Sequence, residues 1–310
     1  MHQTKVRPKN GYRLRLWFSL TGAVGLLIAL VWSPAFIVNL LARTQRFEVA
    51  KDISYGEGAR RSLDVYWPRS LPAGAPVLIF FYGGSWQTGS KETYLFLAST
   101  LAARGYVVIV PDYRVYPDVK FPAFLQDAAA AVRWAHDHVP SYGGDARRIF
   151  VMGHSAGAYI AAMLSMDAEW LAGVGLETDR DLAGLIGVSG PYDFLPLKDE
   201  TLKVIFEGDR RVQTQPITFA HGKKPPALLL TGSADKTVSP RNTKSLAAKL
   251  LSGGNAVTDV VYRRFGHISI LLSFVPYAGT FFPALSDIDA FVAKVTRVEE
   301  THLTAAGAMR

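Results

Sequence analysis

The sequence contains no cysteine among its 310 residues. Disulfides, thiolate metal sites and a cysteine nucleophile are therefore excluded, while the compartment stays open, because cysteine-free chains occur on both sides of a membrane. Acidic residues are missing from the first 46 positions, which carry Lys5, Arg7, Lys9, Arg13, Arg15, Arg43 and Arg46. Setting those seven positives aside lowers the formal net charge from +8 to +1. A nearly neutral body offers no basic groove, so nucleic acid is not an expected partner. Charge of either sign is absent from Leu16 to Ala42, and neither an internal repeat nor a low-complexity linker interrupts the rest.

What fills that uncharged stretch is apolar. Ala23–Trp32 reads AVGLLIALVW, and Ala35–Leu41 continues it after Ser33-Pro34. A bilayer core takes roughly 20 apolar residues of helix, so the run suffices as an N-terminal hydrophobic helix that anchors the chain in a membrane. Five positive charges precede it, which puts the N-terminus in the cytoplasm and the following domain outside. Two alternatives remain. One is secretion after cleavage near Ser33-Pro34-Ala35, which the apolar Phe36–Leu41 makes less attractive; the other is a buried or surface-lying amphipathic helix. The expected organisation is a basic tail and anchor over 1–45, one catalytic domain over 46–298 and a flexible tail over 299–310.

From residue 47 onward, short β-rich runs alternate with helical patterns. Strands are predicted over Phe47–Tyr55, Ser62–Trp67, Val77–Phe81, Val107–Val110, Ile149–Met152, Leu185–Val188, Ala227–Leu230 and Thr258–Tyr262. Most of the later ones are continuous apolar runs, as expected for parallel strands covered on both faces, whereas the first two alternate and suit an antiparallel edge hairpin. Helices are predicted over Lys91–Ala103, Phe124–His138, Ala156–Met166, Arg241–Leu251 and Leu285–Val298. The alternation implies an α/β fold, a mostly parallel eight-stranded sheet with helices on both faces. The apolar stretch Ile268–Ser286 is interrupted by Pro276, Gly279 and Pro283. It is read as a loop and helix covering the active site rather than a second membrane span.

Gly153-His154-Ser155-Ala156-Gly157 matches G-x-S-x-G between a predicted strand and a predicted helix, the context that gives the pattern meaning. Ser155 there is a candidate nucleophile on a sharp turn, and a serine hydroxyl needs a base to become reactive. Of seven histidines, His267 alone directly follows the last predicted strand at the carboxyl edge of the sheet. Asp235 follows the preceding strand, placed to orient the histidine, and the order Ser…Asp…His is that of α/β-hydrolases. The loop Tyr82-Gly83-Gly84-Ser85-Trp86 follows the third strand. Its Gly84 and Ser85 amides, with that of Ala156, are the candidate oxyanion hole. Trp86, Tyr116, His154 and Tyr192 are candidates for the substrate pocket, which with Phe274 in the expected flap suggests a moderately hydrophobic acyl or alkyl group.

These motifs resemble the α/β-hydrolase superfamily, and within it the hormone-sensitive-lipase-like and feruloyl-esterase-like branch with its prenylcysteine methylesterases and kynurenine formamidases. The resemblance runs from about Leu63 to Val292. Besides the elbow and the two turns carrying Asp235 and His267, it rests on Leu63-Asp64-Val65-Tyr66, Pro111-Asp112-Tyr113-Arg114, Tyr142-Gly143-Gly144-Asp145 and Gly190-Pro191-Tyr192-Asp193. It implies a serine esterase that needs neither metal nor organic cofactor, acting on a small-molecule ester. Such enzymes usually open the oxyanion loop with His-Gly-Gly-Gly. Tyr82 in place of that histidine puts the support of the loop in question, and Asp112 and Arg114 are expected to brace it through ion pairs. Amide hydrolysis or acyl transfer at the same site, and a non-catalytic module that kept the fold, are the competing functions.

Overall fold

The computed structural model describes residues 34–70, 74–278 and 282–307. Eight strands form one sheet: β1 (Phe47–Ser54), β2 (Ser62–Pro68), β3 (Ala75–Phe81), β4 (Val107–Pro111), β5 (Gly144–His154), β6 (Gly184–Val188), β7 (Ala227–Gly232) and β8 (Val257–Tyr262). Their spatial order is β1-β2-β4-β3-β5-β6-β7-β8. The two pairings made by β2 are antiparallel and the other five are parallel. The Val-, Ile- and Leu-rich runs in β3 to β7 owe their continuity to this burial, since helices cover both faces there. Val77, Leu78, Ile79, Phe80 and Phe81 of β3 all have zero exposure.

Six longer helices accompany the sheet: α1 (Pro34–Ala42), α2 (Leu95–Ala102), α3 (Ala123–His138), α4 (Ala156–Met166), α5 (Arg241–Ser252) and α6 (Ala284–Gly307). Every residue of α4 is buried, which its small and apolar sequence AGAYIAAMLSM permits. The helix expected from Lys91 begins as a 3-10 turn over Lys91–Tyr94 and becomes α-helical only at Leu95. The Lys91 ammonium is drawn inward to the Asp64 carboxylate at 3.1 Å, and its amide donates to Asp112, so the first turn follows these anchors. At the other end, α6 runs to Gly307, past the expected boundary at Glu299.

The expected membrane anchor lies for the most part outside the described residues. Among the described ones, no helix is long and apolar enough to cross a membrane. Its last part, Pro34–Ala42, is α1, a helix packed on α2. Asn39 fastens it, accepting from the Phe96 amide at 2.9 Å and donating to the carbonyls of Glu92 and Thr93. Residues 34–42 therefore travel with the domain, and residues 16–33 of the uncharged run lie outside the described residues.

Candidate active site

Strand β5 ends at His154 and α4 begins at Ala156, leaving Ser155 as the single residue of the turn. Its backbone has φ 55° and ψ −124°, a conformation that L-residues adopt at a cost and that persists only when the surroundings enforce it. Here the enforcement is steric. A Cβ on Gly157 would lie 1.9 Å from the Phe81 carbonyl oxygen, and one on Gly153 would lie 2.2 Å from the Gly157 carbonyl carbon. Only glycine at both positions lets strand, turn and helix approach so closely. The Ser155 hydroxyl is left partly exposed above the first turn of α4, where unpaired amides favour negative charge.

The β7 and β8 ends bring the other two side chains to it. His267 Nε2 lies 2.9 Å from Ser155 Oγ, and His267 Nδ1 lies 2.8 Å from Asp235 Oδ2. Asp235 Oδ1 accepts from the amides of Thr237 and Val238 at 3.0 and 2.9 Å. A carboxylate so engaged has only acceptors to offer, so the imidazole carries its proton on Nδ1. Nε2 is then free to accept from the serine hydroxyl.

The loop after β3 lies opposite. Gly84 has φ 138°, and Ser85 and Trp86 have φ 54° and 59°. A Cβ on Gly84 would sit 2.1 Å from the Thr88 carbonyl oxygen, while one on Gly83 would sit 2.9 Å from Ser155 Cβ, so the loop presses directly on the nucleophile. Among the described residues, the amides of Gly84, Ser85 and Ala156 make no hydrogen bond within the protein. Tyr82 holds the loop from below. Its hydroxyl donates to Asp112 Oδ1 at 2.6 Å and accepts from Arg60 Nη2 at 3.0 Å. Arg60 also reaches the carbonyls of Gly89 and Tyr113. Arg60 carries no motif and was not among the sequence candidates. Arg114 does not pair with Asp112; it makes a two-pronged contact with Asp127, which is fully buried.

A cavity of about 810 Å³ opens over Ser155 and Ala156. Of the four side chains expected to line it, only Trp86 does. Tyr192 is fully buried, its ring occupying the space left by Gly187 and Gly190, where a Cβ would meet it at 2.1 and 2.4 Å. Tyr116 is partly exposed elsewhere, with its amide bonded to the Trp86 carbonyl. The expected cover over the site is also absent from the lining. Ile270 and Phe274 of the turn Ser269–Phe274 point into the core instead. The wall is supplied by segment 191–202 and the turn 236–242, which add Phe194, Leu197 and Val238 but also Asp193, Lys236 and Arg241. A second cavity of about 470 Å³ lies at the opposite ends of β6 to β8 and holds neither histidine nor serine. Among the described residues, no group of three or more His, Cys, Asp or Glu could hold a metal ion.

His154 is likewise buried, with its ring centroid 4.8 Å from that of His267. Its Nε2 lies 2.9 Å from the His267 carbonyl oxygen, which can only accept, so Nε2 carries the proton. Burial, with a smaller contribution from His267, pushes its pKa down to about 4 and keeps the ring neutral. His154 therefore ties the end of β5 to the backbone of the residue facing Ser155. We predict that His154→Phe lowers kcat for a soluble ester by about 10- to 100-fold, the scale of a small misplacement of a reacting group, with little change in KM. His154→Gln, which can donate to the same carbonyl, should recover most of it. Equal kcat in wild type and His154→Phe would remove this role.

Comparison with known proteins follows the same lines. The BD-FAE family model matches residues 63–250. An isoprenylcysteine alpha-carbonyl methylesterase of Arabidopsis thaliana is 28% identical over 265 residues, 79% of this chain and 62% of its own length. Esterase LipC of Mycobacterium tuberculosis is 30% identical over 228 residues, 67% of this chain and 56% of its own. The chain thus spans only part of the length of these relatives. A truncated carbohydrate esterase from gut microbiota superposes with a TM-score of 0.69 at 20% identity, covering 80% of this chain and 96% of that one, which speaks for the fold.

Proposed function

The chain belongs to the BD-FAE family, and from that premise we propose that it is a serine hydrolase of carboxylic esters in which Ser155, His267 and Asp235 act together. Ser155 Oγ attacks the ester carbonyl as its proton passes to His267 Nε2, and Asp235 stabilises the imidazolium through Nδ1. The carbonyl oxygen, now an anion, takes hydrogen bonds from the Gly84, Ser85 and Ala156 amides. His267 then gives its proton to the leaving alkoxide, so that an alcohol departs and an acyl-serine remains. Water, activated by the same imidazole, adds to the acyl carbon, and collapse releases the acid and restores the hydroxyl.

The observation that carries this reading is the unbroken chain of contacts from Ser155 Oγ through His267 to Asp235, at 2.9 and 2.8 Å. Support for an ester comes from the relatives' names, and support for a substrate with an apolar part comes from Trp86, Phe194 and Leu197 beside the serine. We also propose that residues 16–33 anchor the chain in a membrane with its N-terminus cytoplasmic, on the strength of the uncharged run and the five basic residues before it.

The reading is tested with a fluorophosphonate probe, whose phosphorus is attacked by an activated serine far faster than by an ordinary hydroxyl. Stoichiometric labelling is expected on the peptide containing Ser155, together with loss of activity on a p-nitrophenyl ester. Absence of labelling, or labelling confined to another serine, would overturn it.

A further inference from the structure

Ten large apolar side chains are exposed among the described residues, and six of them belong to two short segments. Phe36, Leu40 and Leu41 are 59%, 49% and 41% exposed on α1, and Ile268, Leu272 and Tyr277 are 68%, 44% and 67% exposed in the segment after His267. The segments are adjacent. Both pack against α2, and Thr44 Oγ1 lies 2.8 Å from the Tyr277 hydroxyl. Lone exposed apolar residues need no account, but a concentration such as this marks an interaction surface. The catalytic cavity does not use it, since neither segment lines that cavity.

Charge and connectivity indicate what covers it. Residues 34–46 and 263–283 contain four arginines (Arg43, Arg46, Arg263 and Arg264) and no aspartate or glutamate. All four arginines are exposed. An apolar strip whose own segments carry only basic charge, with the exposed Glu92 of the neighbouring turn paired to Lys91, is the chemistry of a surface that rests on anionic lipid. The chain also reaches the strip without a linker. The uncharged run Leu16–Ser33 passes directly into Pro34, the first residue of α1. Since α1 is fastened to the domain through Asn39, a domain tethered by that run has no slack to carry this face away from the bilayer.

We propose that α1 and the segment after His267 form a lipid-contact face, with Phe36, Leu40, Leu41, Ile268, Leu272 and Tyr277 inserted at the headgroup boundary of an anionic bilayer. Ile268 adjoins His267, so this face sets the catalytic side of the domain beside the membrane, where an amphiphilic ester is delivered from the lipid rather than from bulk water. The proposal rests on the reading of residues 16–33 as an anchor.

The absence of native cysteine makes the test direct. The full chain carrying Leu40→Cys or Leu272→Cys is labelled with an environment-sensitive fluorophore and reconstituted into phosphatidylcholine–phosphatidylglycerol vesicles containing nitroxide-bearing lipid. Val212→Cys and Leu251→Cys, exposed apolar positions outside the strip, serve as controls. Insertion by about 5–10 Å should give at least about threefold stronger lipid quenching at 40 and 272 than at 212 and 251. A chain that floats with the vesicles but shows equal quenching at all four positions overturns the lipid face and leaves the anchor standing. Labels at 40 and 272 shielded from both lipid nitroxide and aqueous iodide would mean that another part of the chain covers the strip, which also overturns it. A chain that does not float overturns the anchor and the face together.

Discussion

Ser155→Ala should lower kcat for ester hydrolysis by about 10⁶-fold while leaving the protein folded. The nucleophile, its base and the orienting acid act as one unit, so removing the attacking oxygen forfeits nearly all that the three contribute together. What remains is the residual rate supplied by the oxyanion amides and by binding, about 10³–10⁴ above water. Stability should change by less than about 1 kcal/mol, because the side chain is partly exposed and its one side-chain partner is His267. The strained φ of 55° is imposed by Gly153 and Gly157 and is nearly as unfavourable for alanine as for serine. Kinetics on a soluble p-nitrophenyl ester and a thermal melt check both halves. A folded variant retaining more than about a tenth of the wild-type rate would end the proposed role of Ser155.

The sheet is legible in the sequence where burial is two-sided. β3, β4, β6, β7 and the second half of β5 read as short apolar runs because both faces are covered there, and their length and β-branched content favour strand over helix. The meeting of residues 155, 235 and 267 is legible for a topological reason: each directly follows a strand, and parallel strands deliver their carboxyl ends to one edge. What escapes the sequence is the direction in which an apolar or aromatic side chain points once it leaves the sheet. Tyr192 and His154 stand within a few residues of the site, yet both turn into the core. The stretch after His267 is apolar because Ile270 and Phe274 face inward, not because it covers the cleft. Likewise, the uncharged run ending at Ala42 has the same composition whether lipid or protein receives it. The bond from Asn39 to the Phe96 amide, invisible in one dimension, assigns its last nine residues to the domain.

Tyr82 shows how a departure from the family pattern is accommodated. A histidine is expected before the two glycines, and the tyrosine hydroxyl extends further from the backbone than an imidazole. Asp112 and Arg60 meet it there, one accepting and the other donating, and the ring stacks on Tyr113 at 4.8 Å. The Tyr113 hydroxyl returns a bond to the Tyr82 carbonyl at 2.7 Å. The loop bearing the Gly84 and Ser85 amides is thus clamped at side chain and backbone alike. Preorganised donors of this kind stabilise developing charge without having to reorganise during the reaction.

Asp235→Asn should lower kcat by about 10⁴-fold, and the hydrogen bonds around residue 235 give the reason. Oδ1 accepts from two amides, those of Thr237 and Val238, and Oδ2 accepts from His267 Nδ1. An asparagine can keep an oxygen at only one of these places. If the oxygen stays with the two amides, its NH₂ group faces Nδ1, and the imidazole must present a lone pair there and carry its proton on Nε2. A histidine in that tautomer cannot take the proton of Ser155. If the amide flips, the NH₂ group faces two N–H donors, and the amides of exposed Thr237 and half-buried Val238 both lose their acceptor at a cost of about 0.5–1.5 kcal/mol each. The first arrangement is therefore favoured. It keeps the fold, preserves most of the melting temperature and disables the base. Measured kcat within about tenfold of wild type would mean that the tautomer of His267 is set elsewhere, and that Asp235 belongs to the turn rather than to the chemistry.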